Sequence, residues 1–89
     1  MKRIHAYISG RVQGVNFRWN TKLMADKLGI KGWVKNLPDG RVEIVAEGDD
    51  ERIDVCLEYV KKGPLLAKVE KIELKEEVYK NEFKKFLII

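Results

Sequence analysis

The chain has 89 residues, enough for one hydrophobic core and too few for two, so any active site must be made from the loops of a single small domain. Hydrophobic residues make up 45% and charged residues 36%, spread along the whole length, which excludes a disordered chain; the net charge of +4 suits a small anion or a nucleic acid and selects neither. A lone cysteine, Cys56, excludes an internal disulfide, and the alternating start "MKRIHAYISG" reads as a strand rather than a signal peptide or membrane span, so a cytoplasmic monomer is expected.

Ile4, Ala6 and Ile8 share one face of the first run and His5, Tyr7 and Ser9 the other, as a half-buried strand requires. After "GRVQGVNFR", the residues Phe17, Thr21, Met24, Ala25 and Leu28 recur at helical spacing and Gly29 gives a stop signal, which predicts a helix over 17–28. "GWVKNL" and "RVEIVAEG" are β-type runs joined by "PDG", predicting an antiparallel hairpin. Asp49 or Asp50 can cap a second helix with the apolar stripe Ile53, Cys56, Leu57 and Val60, ended by Gly63-Pro64. In "KVEKIELKEEV", Ile72, Leu74 and Val78 share one parity and Val69 does not, so either a bulge intervenes or Val69 faces outward. The tail "FLII" can add a short edge strand.

The order βαββαβ over 1–89, without linker or repeat, is an α+β, ferredoxin-like layout: an antiparallel sheet with two helices on one face. That layout serves enzymes, RNA-binding modules and small-molecule sensors alike, so the site must name the function.

Ser-His or Cys-His catalysis needs a base beside its nucleophile, and the chain offers only His5 and Cys56 as the rarer partners. Cys56 falls on the apolar stripe of the second helix and reads as core; His5, on the polar face of the first strand, reads as a surface histidine. Together they are too few for a zinc site. Glu43, Glu47, Asp49 and Asp50 read as a solvated face and a helix cap rather than a metal site. Trp19 and Leu23 fall opposite the core stripe of the first helix, where they either mark a substrate or partner surface or lie partly covered by a loop.

The loop "GRVQGVNFR" ends at a helix N-terminus, where glycines allow close approach and unpaired N–H groups favour an anion. Arg18 is placed to aim a guanidinium fork at the same anion. From local chemistry alone, the loop is equally a turn with a surface charge. A longer pattern distinguishes these readings. "GRVQGVNFR" followed by "GWVKNLPDGRVEI", then "VAEG" and "KKGPLLAKVEKIEL", resembles the acylphosphatase family of small ferredoxin-like enzymes that hydrolyse carboxyl-phosphate anhydrides.

The resemblance implies that backbone amides of Gln13, Gly14, Val15, Asn16, Phe17 and Arg18 cradle the phosphate. It also implies that Arg18 binds its oxygens and that Asn36 holds the attacking water. Arg11 belongs to the motif as a supporting residue. No metal or cofactor is implied; the partners are a small-molecule acyl phosphate and inorganic phosphate, with no nucleic acid and no membrane. The chemistry is coherent, because cleavage at phosphorus expels a carboxylate of pKa near ~4 that needs no general acid.

Two rivals come from other classes. "WVKNLP" resembles the first-strand motif of an RNA-recognition domain, but here it forms the second strand and enters a hairpin, and the companion aromatic-rich motif is missing. A sensor that binds a small anion without turnover would carry the same loop, but would have no use for Asn36 as a water-holder.

Overall fold

A computed structural model describes residues 1–89. The elements in chain order are β1 (Lys2–Arg11), α1 (Phe17–Leu28), β2 (Lys31–Asn36), β3 (Val42–Gly48), α2 (Asp50–Lys62), β4 (Lys68–Glu77) and β5 (Phe86–Ile88). They form one five-stranded sheet of order β4-β1-β3-β2-β5. α1 lies over β2 and β5, and α2 over β1, β3 and β4. The ferredoxin-like expectation is met, with one refinement: the long strands pair antiparallel, but β5 runs parallel to β2, with Val34 opposite Ile88.

The core is the one that alternation and helical spacing predict. Ile4, Ala6 and Ile8 of β1 and Val42, Ile44 and Ala46 of β3 meet Phe17 and Ala25 of α1 and Ile53, Cys56, Leu57 and Val60 of α2. Cys56 is an ordinary packing residue, its thiol pushed up to about 11 by burial. Phe86 is 1% exposed, which anchors the short β5 at the sheet edge.

β4 carries the bulge. Ser9 faces Lys71 but Gly10 faces Val69, so Glu70 is the extra residue, and both Val69 and Ile72 pack against the core. Gly10, at φ 122°, sits where a side chain would strike the Lys68 carbonyl. It therefore belongs to the strand crossing rather than to the loop beyond. Leu74, which shares parity with Ile72, is instead exposed on this outer strand, and Val78, just past its end, is exposed too.

The second face of the sheet departs from the expectation of a solvated surface. Glu43 and Glu47 are both buried, and His5 is half-buried between carboxylates: its Nε2 lies 2.6 Å from Glu43 and its Nδ1 3.2 Å from Glu77. Arg3 donates to Glu47 at 3.2 Å and to Glu77 at 2.9 Å, and pairs also with Glu82. The backbone amides of Lys80 and Glu82 donate to Glu47 at 2.8 and 3.2 Å, folding the segment after β4 across this face. Polar residues on an alternating strand face water by default; here mutual pairing offsets their desolvation. Asp49 does sit at the N-cap of α2, though its side chain makes no capping hydrogen bond.

Candidate active site

Loop 12–16, the first turn of α1, the end of β2 and β5 converge on one cleft of about 230 Å³. Gly14, Asn16, Arg18, Trp19, Asn36 and Ile88 line it, over buried Val12 and Phe17.

The loop is bent by two left-handed residues, Gly14 at φ 75° and Asn16 at φ 63°. Asparagine is among the few side chains that tolerate this conformation, and such changes of hand turn successive N–H groups toward one point. No backbone carbonyl in the chain accepts a hydrogen bond from the N–H groups of Gln13 through Trp19. Asn16 starts α1 without a side-chain cap, its carbonyl accepting from the Asn20 amide at 3.0 Å. The first turn of α1 has no acidic residue, whereas that of α2 has Asp50 and Glu51. The positive end of the α1 dipole thus faces the cleft without an internal counter-charge.

Arg18 adds a full charge. Arg3, Arg41 and Arg52 each face a carboxylate, but Arg18 takes part in none of the ion pairs. An unpaired guanidinium in a cleft of free amides is suited to a phosphate-like anion.

Asn36 closes β2, opposite Val42. Its side-chain oxygen is buried and accepts no hydrogen bond. An unsatisfied buried acceptor costs about 1–3 kcal/mol, which a turn of the side-chain amide toward the cleft that Asn36 lines would relieve. The following turn is stiff: Leu37 N–H donates to the Arg41 carbonyl at 2.8 Å, and Asp39 accepts from the Arg41 amide and guanidinium, which hold its carboxyl below the usual carboxylate range.

Of the residues expected in the site, Gly14, Asn16, Phe17, Arg18 and Asn36 come together in this cleft. The Gln13 side chain instead reaches the hairpin, donating to the carbonyls of Leu37 at 2.8 Å and Arg41 at 2.9 Å. Val15 packs on the core and borders a separate groove with Tyr59 and Leu65. Arg11 is exposed and does not line the cleft. No cluster of three or more His, Cys, Asp or Glu side chains is placed to hold a metal ion.

The pattern of the acylphosphatase family matches residues 4–88. The chain belongs to the acylphosphatase family. An acylphosphatase of Methylococcus capsulatus is 47% identical over 89 residues, covering 100% of this chain and 97% of that protein. One from Thermococcus kodakarensis is 53% identical over 79 residues, 86% of this chain and 87% of its own length. The crystal structure of acylphosphatase from Bacillus subtilis, 40% identical, aligns with a TM-score of 0.96 over 100% of this chain and 99% of that one.

Within this acylphosphatase fold, sequence reasoning left two cleft residues without a role, Trp19 and Ile88. The position of Trp19 opposite the core stripe leaves open a substrate or partner surface or partial cover by a loop; the residue is 55% exposed at the cleft. Ile88 lay in a tail whose one usable signal is that it shares parity with buried Phe86.

Proposed function

We propose that the chain is an acylphosphatase that hydrolyses the carboxyl-phosphate bond of small acyl phosphates to a carboxylate and inorganic phosphate. The observation that carries this reading is the convergence of free loop amides, unpaired Arg18 and Asn36 on one cleft. The phosphoryl group sits in the amide cradle, with its oxygens on Arg18 and on the N–H groups of residues 13–18. Water donates one hydrogen bond to Asn36 and attacks phosphorus. The bond from phosphorus to the bridging oxygen breaks, and the carboxylate departs with the electron pair. The proton of the attacking water passes to a phosphate oxygen, since an amide cannot accept it at neutral pH. Catalysis rests on positioning and on charge stabilisation that grows in the transition state, and no step calls for a metal or cofactor.

On this reading the protein acts as a cytoplasmic monomer; no helix is long and apolar enough to cross a membrane. On this reading nucleic acid is not a partner, since the cleft is sized for a single small acyl phosphate.

Release of inorganic phosphate from benzoyl phosphate by chelator-treated protein is the test. Turnover at full rate in chelator is expected. No release, or release only after magnesium or zinc is added, would refute the reading.

A further inference from the structure

Trp19 is 55% exposed at the lip of the cleft, an unusual setting for the largest apolar side chain unless something covers it. It shares a cleft with the groups that would hold phosphate, so its occupant and the phosphate must belong to one molecule or compete. The geometry points to Trp19 as the residue that binds the acyl group of the substrate and selects for apolar acyl groups larger than acetyl; this rests on the acylphosphatase reading.

The position of Trp19 follows from the packing of α1. Lys22, one turn further on, donates to the Phe86 carbonyl at 3.0 Å, which fixes the side of α1 carrying residues 19 and 22 toward β5. There β5 supplies Ile88, set in register opposite Val34, with the Ile89 amide donating to the Val34 carbonyl at 3.0 Å. Trp19 and Ile88 are the exposed and half-buried apolar members of the lining, whereas Val12 and Phe17 are buried beneath it.

In-line displacement supplies the second argument. The attacking water and the leaving carboxylate lie on opposite sides of phosphorus. Asn36, which holds the water, belongs to the sheet layer, whereas Trp19 belongs to the helix layer. The acyl group leaves on the side away from Asn36, and of the remaining lining residues Trp19 and Ile88 offer it accessible apolar surface. A flat apolar acyl group can stack there, while acetyl is too short to cover the ring.

A second apolar groove borders the loop at Val15 and Asn16, with Leu65 97% and Leu66 68% exposed. Neither Arg18 nor Asn36 lines it, so it is the natural control.

The test compares binding of benzoylphosphonate and acetylphosphonate, unreactive analogues that differ only in the acyl group, by calorimetry on wild type, Trp19→Ala, Trp19→Phe and Leu66→Ala. Wild type should prefer benzoylphosphonate by about tenfold. Trp19→Ala should bring the ratio close to one, Trp19→Phe should keep most of it, and Leu66→Ala should leave it as in wild type. The ratio of kcat/KM for benzoyl and acetyl phosphate should follow the same order. A ratio unaffected by Trp19→Ala, or abolished by Leu66→Ala, overturns the assignment. Thermal midpoints establish that each variant is folded. Turnover and selectivity fail separately: a protein that shows the Trp19-dependent ratio but hydrolyses neither acyl phosphate retains the subsite and loses the acylphosphatase reading.

Discussion

The side-chain amide of Gln13 donates to the Leu37 carbonyl at 2.8 Å, joining the proposed phosphate loop to the residue after Asn36. A second bond, to Arg41 at 2.9 Å, spans the hairpin turn. The loop and Asn36, proposed to hold the phosphate and the water, come from different elements, and this side chain ties them together.

Gln13→Ala should therefore lower kcat on benzoyl phosphate by about tenfold through misplacement of the water. It should destabilise the fold by about 2 kcal/mol for two lost hydrogen bonds. Inorganic phosphate should still bind, because the backbone cradle and Arg18 persist. Kinetics and denaturant titration check this, and an unchanged kcat would remove Gln13 from the positioning machinery.

Inorganic phosphate and sulfate should inhibit competitively, raising apparent KM and leaving kcat unchanged, because both ions match a cleft of free amides with unpaired Arg18. Arg18→Ala should weaken that inhibition and reduce kcat together, since the charge meets phosphate in ground and transition states alike. Inhibition patterns measured on both proteins suffice. A failure of either ion to compete would move the phosphate site elsewhere.

The ion-pair network on the far sheet face predicts acid lability. Arg3, then His5, hold the Glu77 carboxyl below its usual range. At Glu47 burial opposes ionisation, but donations from the Lys80 amide, Arg3 and the Glu82 amide outweigh it and lower the carboxyl as well. Each carboxylate binds protons more weakly folded than unfolded. The stabilisation is therefore complete above the unfolded value near ~4.3 and disappears as pH falls through the lower folded value. The urea midpoint should fall steeply below about pH 4, and Glu77→Gln should flatten that fall. A midpoint that rises on acidification contradicts the network.

Glu47→Ala leaves Arg3 paired with Glu77 and Glu82 but removes the acceptor of the Lys80 and Glu82 amides, and should cost about 1–3 kcal/mol. The site lies on the other face of the sheet, so kcat of the folded fraction should match wild type. A stable variant would mean that the Arg3 cluster contributes little.

Much of this was legible in the sequence because period and punctuation agreed. The stripe Phe17, Thr21 and Ala25 with Gly29 after it located α1, and Ile53, Cys56, Leu57 and Val60 located α2. The cleft residues Gly14, Asn16, Arg18 and Asn36 were legible because the loop and hairpin motifs are long and contiguous. Glu43 and Glu47 were misplaced, since alternation assigns polar side chains to water and cannot see partners such as Arg3 and the Lys80 amide, remote in sequence. Gln13 and Ile88 were obscure for the same reason: their places depend on which strands become neighbours.

Asn36 is proposed to hold the nucleophilic water while Arg18 and the amides hold phosphate. This assignment is tested most directly by kcat of Asn36→Ala on benzoyl phosphate, measured beside its inhibition constant for inorganic phosphate. The expected result is a folded protein whose phosphate inhibition stays near wild type while kcat falls by about a hundredfold or more. A folded variant with wild-type kcat would contradict it.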